Sequence, residues 1–188
     1  TPTQPLGQNV VNDLSQGDGF IFFLNHGSSS GFVVRSSEYN KWPKSYIFTS
    51  PTSPDHGDIN SLFNYGKYGI INSVSCDTGA FDSEHWVGPN VAQTPTEVFL
   101  GLENRGAVAV IANSRWGWTS TSWMISDKFL YQLFIDNSNK HIGELNVISK
   151  SYFTDYRDLL YGLNLYGDPE MVVYTCLQDL DGDGFTIC

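Results

Sequence analysis

Basic residues are scarce: ten Lys and Arg stand against twenty Asp and Glu in 188 residues, a formal charge of −10. A phosphate backbone or an anionic bilayer repels so acidic a surface, and no basic stripe offsets it, which argues against a nucleic-acid partner. Long apolar runs are also missing. The longest clean one, "AVAVIA" at 107–112, falls well short of the ~20 residues of a membrane-spanning helix. A signal peptide is not evident either. Thr1-Pro2-Thr3-Gln4-Pro5 has no basic n-region and no initiator Met, so the chain reads as a processed or excised piece of a longer precursor. Cysteine is limited to three residues, an odd count. Cys176 and Cys188 lie twelve apart and are candidates for a local disulfide, which would leave Cys76 as a free thiol. With few Lys and many Asn, Ser, Thr, Tyr and Trp, this points to an extracellular or cell-surface location.

What is present fits one globular domain: 40% hydrophobic and 14% aromatic residues in a chain too short for two sizeable cores. "GQNVVNDLSQGDG" (7–19) reads as a short amphipathic helix through Val10, Val11 and Leu14, stopped at Gly17. An apolar strand follows at 19–24. The stretch 28–67 is a mixed excursion in which "FVVR" and "SYIFTS" are candidate short strands, with a helix end expected at the Asn64–Gly66 turn. The same helix-then-strand order returns in "TPTEVFLGLENRGAVAVIANS" (94–114), with Thr94 and Glu97 spaced as a capping box and an apolar strand at 107–112. Helices are expected at 121–137 and 142–153, and a last strand at 170–175. Helices alternating with short, continuously apolar strands predict an α/β fold, a mostly parallel sheet with helices on both faces.

In such a sheet ligands bind beyond the carboxyl ends of the strands. "FIFFLNHGSSSG" (20–31) breaks from five apolar residues into Asn25, His26 and Gly27, and "YGIINSVSCDTGAFD" (68–82) ends on Cys76 with Gly79 close behind. Asn113 and Ser114 occupy a third strand end. Adjacent strands would bring His26 and Cys76 together. A cysteine nucleophile needs help to ionise, a proton donor for the leaving group and N–H donors for an oxyanion. Cys76 is the candidate nucleophile and His26 the candidate general acid/base, since an imidazole titrates near neutrality. Gly27, without a Cβ, would bring its N–H close to a substrate carbonyl and share the oxyanion with the N–H of Cys76. Gly79 would let the chain turn tightly after the nucleophile. Taken singly, a buried Cys is more often an inert small hydrophobe and a strand-end His a satisfied polar group. Their matching positions favour a site.

"FFLNHGSSS" and "INSVSCDTGAF" resemble the paired His-Gly and Cys motifs of the gingipain family of cysteine peptidases, in the caspase-like clan. Cys76, Gly79 and Phe81 match the second motif. "TEVFLGLENRGAVAVIANSRWGW" resembles the family's Glu-bearing helix, Gly-Ala-Val strand and Trp-bearing loop, and "LNLYGDPEMVVY" its Leu-Gly-Asp-Pro ending. The resemblance implies a caspase-like catalytic subdomain over 1–175 and a secreted cysteine endopeptidase. It also implies that Trp116 and Trp118 wall the pocket before the scissile bond, with Ser114 near its rim. The two indoles read equally well as cover for a sheet end. Two departures stand out. Asn25 replaces the family's glycine before the histidine, and the N-terminal subdomain that carries an acid assisting the histidine does not precede Thr1. Either a second processed chain or N-terminal subdomain supplies that acid and is a partner beside a peptide or protein substrate, or the chain is a fragment, or the protein works without it. No organic cofactor is implied.

Glu97 reads as a cap and Asp168-Pro169 as a turn. His56, His85 and His141 read as surface histidines, because no tetrahedral set with cysteine surrounds them. Residues 176–188 read as the start of an Asp-rich linker resembling a calcium loop. Asp179, Asp181 and Asp183 alternate before Gly184 as in the first half of an EF-hand loop, with Ca2+ the implied ion. The distal Glu is missing, so an acidic linker is the alternative. Two other functions stay open: a transpeptidase, if an amine rather than water resolves the thioester, and a non-catalytic surface module that keeps the fold and binds peptide, glycan or calcium.

Overall fold

A computed structural model of the chain describes residues 6–34, 45–49, 56–82, 93–136 and 140–173. Along it run α1 (Gly7–Leu14), β1 (Phe20–Phe23), β2 (Gly27–Ser28), β3 (Gly31–Val34), β4 (Ser45–Phe48), β5 (Gly57–Asp58) and a 3-10 turn at Ile59–Ser61. There follow β6 (Gly69–Ser73), α2 (Pro95–Gly101), β7 (Ala107–Asn113), α3 (Thr121–Phe134), α4 (Ile142–Ser151), α5 (Arg157–Gly162) and β8 (Leu163–Gly167).

The main sheet has the order β1-β6-β7-β8, with β1, β6 and β7 parallel and β8 antiparallel at the edge. This is the α/β architecture expected. Strand alternation sorts its side chains to two cores. Ile71, Val110 and Ala112 face Val11 and Leu14 of α1 and Val98 and Phe99 of α2. Ile70, Ala109 and Ile111 face Ile125, Phe129 and Leu133 of α3 and Ile142 and Leu145 of α4. In α3 the buried positions Ser122, Ile125, Ser126, Phe129, Gln132 and Leu133 keep helical spacing. The α2 cap is the one the sequence predicts. Glu97 Oε2 accepts from the Thr94 N–H at 2.7 Å, and Thr94 Oγ1 accepts from the Glu97 N–H at 3.3 Å.

Three expectations need correction. No α-helix ends at Asn64–Gly66. A single 3-10 turn precedes that point, and β2–β5 form a second small sheet whose Phe32 and Ile47 pack into the α1/α2 core. Asn64 instead acts as a buried bracket: Nδ2 donates to the carbonyls of Lys67 and Gly106, each at 2.8 Å, and Oδ1 accepts from the Gly106 N–H at 2.8 Å. The last strand is also displaced. Among the described residues it is β8 at Leu163–Gly167, pairing Asn113 with Leu163, whereas Val172 makes only an isolated bridge to His141; residues 174–175 of the expected strand lie outside the described residues. Finally α5 was not anticipated, because "RDLLYG" spans six residues and shows too little periodicity.

Because β8 is antiparallel, its first residue shares an edge with the carboxyl ends of β1, β6 and β7. His26, Cys76, the 114–118 loop and the end of α5 therefore lie along one rim.

Candidate active site

Ser75 precedes Cys76 as Asn25 precedes His26, and the two are joined. Ser75 Oγ donates to Asn25 Oδ1 at 2.5 Å across the ends of β6 and β1. Gly27 closes the same gap from the backbone. A Cβ on it would stand 2.7 Å from Ser75 Cβ, 2.7 Å from Thr78 Cγ2 and 2.8 Å from the Cys76 carbonyl oxygen. Only glycine fits so close an approach. The His-Gly and Cys segments are thus packed against each other, with His26 exposed and Cys76 half-buried. Cys76 carries a free thiol.

The third wall comes from the chain after β7. The Gly117 N–H donates to Cys76 Sγ at 3.3 Å, and the thiol lies 3.6 Å from the Gly117 carbonyl. Gly117 fits there because a Cβ would meet Asn113 Nδ2 at 2.8 Å and the Ser75 carbonyl carbon at 2.9 Å. Asn113, fully buried, spans the β6 and β7 ends. Its Nδ2 donates to the carbonyls of Ser73 and Ser75 at 3.4 and 3.3 Å, and Ser122 Oγ, at the start of α3, donates to its Oδ1 at 3.5 Å.

The turn after the nucleophile does not use Gly79 as the sequence suggests. The left-handed residue is Asp77, at φ 56°, a conformation that Asp tolerates better than most side chains. Gly79 is small for another reason. A Cβ on it would come within 2.9 Å of the Tyr166 ring, whose hydroxyl donates to the Gly79 carbonyl at 2.5 Å. Two cross-loop bonds fix the turn against the β7 exit, Asp77 N–H to the Arg115 carbonyl at 2.8 Å and Gly79 N–H to the Asn113 carbonyl at 3.0 Å. Burial raises the Asp77 carboxyl above its ordinary range, while the charge of Arg115 pulls it back down. Burial likewise raises the Tyr166 phenol.

The remaining expected site residues divide. Trp116 and Trp118 are exposed and stacked, their ring centroids 6.3 Å apart at 24°. Beside Trp118 opens a cleft of about 470 Å3 lined by Ser120, Thr121 and residues 155–159. Ser114 is buried and turned toward β8: its hydroxyl donates to the Gly162 carbonyl at 3.2 Å and accepts from Asn164 Nδ2 at 3.2 Å. Asp179, Asp181 and Asp183, with Cys176 and Cys188, lie outside the described residues. Among the described residues no cluster of three or more His, Cys, Asp and Glu is placed to hold a metal, and no helix is long and apolar enough to cross a membrane. Ser75, Asp82 and Arg115 are not marked by the sequence as site residues, while Asn25 and Asn113 are marked only by their places beside the histidine and at a strand end. Gly117 between two tryptophans was a visible signal; the others are polar residues at strand ends, where polar residues are ordinary.

The fold that carries this thiol and imidazole has counterparts. The sequence pattern of peptidase family C25 matches residues 2–174. The chain belongs to peptidase family C25. Its fold is similar to that of the Arg-specific cysteine proteinase gingipain R, at 18% identity and a TM-score of 0.68, over 92% of this chain and 37% of that one. It is similar too to the complex of the pro- and mature domains of Porphyromonas gingivalis RgpB, at 18% identity and a TM-score of 0.70, over 92% of this chain and 38% of that one. The chain therefore spans little more than a third of the length of these C25-like structures. No curated protein matches it in sequence.

Proposed function

We propose that the chain is the catalytic subdomain of a secreted cysteine endopeptidase of the C25 family. The observation that carries the reading is the packing of the His-Gly segment on the Cys segment, through Ser75–Asn25 and through Gly27 against Cys76. In this reading the Cys76 thiolate attacks the scissile carbonyl. The oxyanion is held by backbone N–H groups, Gly27 and Cys76 being the candidates. His26 protonates the departing amine, leaving a thioester on Sγ, and water activated by the same imidazole then hydrolyses it. The Gly117 N–H, aimed at Sγ, fixes where the sulfur sits relative to the Trp-bearing loop.

The stacked, exposed indoles of Trp116 and Trp118 offer an apolar wall for a substrate side chain beside Cys76, with the neighbouring cleft extending it. A preceding subdomain or a second processed chain is proposed to supply the acid that orients His26. Calcium at Asp179, Asp181 and Asp183 is proposed as a structural ion for the C-terminal loop. The direct test is peptide hydrolysis by the protein and by Cys76→Ala. Loss of turnover in the variant is expected, and retained turnover contradicts the reading. Product analysis with an added amine separates hydrolysis from transpeptidation.

A further inference from the structure

The chain leaves the sheet at Asn113, yet four residues later Gly117 must hold its N–H on Cys76 Sγ. Something has to fix residues 114–117 relative to the nucleophile's own turn. Arg115 makes the required contacts on both sides. Its guanidinium closes a bidentate pair on Asp82, Nη1 to Oδ1 at 2.8 Å and Nη2 to Oδ2 at 2.6 Å. The same Nη1 donates to the Ser114 carbonyl at 2.6 Å, and the Arg115 carbonyl accepts from the Asp77 N–H at 2.8 Å. Asp77 lies near the start of the turn that begins at Cys76, and Asp82 just past its end. One residue of the Trp loop therefore grips the nucleophile's turn at both ends.

We infer that Arg115, paired with Asp82, is a positioning residue for the nucleophile: it holds the 114–118 loop on the Cys76 turn so that the Gly117 N–H stays on Sγ. This deepens the peptidase reading and rests on it. The planar fork suits the role better than an ammonium, because two parallel bonds fix orientation as well as distance. The pair is partly exposed, with side chains 42% and 37% accessible, so its contribution to folding is small. Its effect falls on placement, where a displacement of about 1 Å in a reacting group costs up to roughly a hundredfold in rate.

The test compares the parent protein with Arg115→Gln, Arg115→Lys and Asp82→Asn. It reads the rate of iodoacetamide alkylation of Cys76 at pH 7 by intact mass, the kcat and KM of peptide hydrolysis, and the melting temperature. Arg115→Gln and Asp82→Asn are each expected to slow alkylation about tenfold and to lower kcat by at least as much. KM should change little, and Arg115→Lys should recover part of the loss. Asp82→Asn keeps the guanidinium but replaces its bidentate carboxylate anchor with one neutral acceptor and an NH2 that faces the second N–H. A parent-like rate in Asp82→Asn, or in Arg115→Gln, overturns the inference. If Arg115→Gln does not melt cooperatively, Asp82→Asn decides by itself. A parent thiol no faster than a free peptide thiol removes the peptidase reading and the inference with it, whereas a fast parent with unaffected variants removes only the inference.

Discussion

The Ser75 hydroxyl donates to the Asn25 side-chain carbonyl at 2.5 Å, linking the residue before the candidate nucleophile to the residue before the candidate acid/base. Relative to the family's motif, Asn25 stands where a glycine is usual. Here it supplies an acceptor that a glycine lacks. Ser75 is fully buried, so its replacement by Ala deletes a bond that both strand ends share. Ser75→Ala is expected to cost about 1 kcal/mol of folding stability, measured by denaturant unfolding. Peptide turnover should fall about tenfold, because the His-Gly segment loses its register on the Cys segment.

Gly27→Ala tests the close approach itself. Its Cβ would sit 2.7 Å from two side-chain carbons and 2.8 Å from the Cys76 carbonyl, so the His26 turn must move outward. A loss of about 1–3 kcal/mol is expected from the overpacking, with turnover reduced more severely than in Ser75→Ala. An unchanged melting temperature and unchanged turnover would show that the two segments are not in contact.

Asn113→Leu removes the bracket beneath the site. The Ser73 and Ser75 carbonyls lose the Asn113 amide donor, and Ser122 loses an acceptor. Buried polar groups stripped of a partner cost about 1–3 kcal/mol each, so the variant should unfold at markedly lower denaturant. As a contrast, Glu97→Ala removes the solvent-exposed member of the α2 capping box. It is expected to cost about 1 kcal/mol while leaving Cys76 alkylation at the parent rate.

Asp77 makes a prediction about pH. Burial raises its folded-state carboxyl above the ordinary value of 3.8, so the native state holds the proton more tightly than the unfolded chain. The stability it contributes is complete below that ordinary value and is lost as pH rises through the raised one. Asp77→Asn is isosteric, fits the same left-handed backbone and does not ionise. Melting profiles from pH 3 to 7 should show the variant gaining on the parent as pH rises. A gain that grows as pH falls would have the wrong sign.

The three parallel strands of the main sheet and most helices were legible because their signals are local and periodic. The apolar runs of β1, β6 and β7, the helical spacing of α3 and the Thr94–Glu97 cap each depend on neighbours within a few residues. His26 and Cys76 were legible for a related reason, since each interrupts such a run. The second small sheet was only half visible, as its strands are short and their partners lie across a long excursion. β8 was hidden in a motif recognised for its Gly-Asp-Pro ending rather than for its alternation. The residues that assemble the site, Ser75 with Asn25 and Arg115 with Asp82, pair across 50 and 33 positions. No local pattern marks such pairs, and Gly79 shows the same limit: its smallness answers to Tyr166, 87 positions away, and not to the turn in which it sits.

The central claim is that His26 and Cys76 form one working centre. The rate of iodoacetamide alkylation of Cys76 between pH 5.5 and 8.5, followed by intact mass in the parent and in His26→Ala, tests it most directly. Labelling well below pH 8 is expected to be faster than that of a free peptide thiol and to change on loss of the imidazole. Labelling that matches a free thiol in both proteins, at every pH, would contradict it.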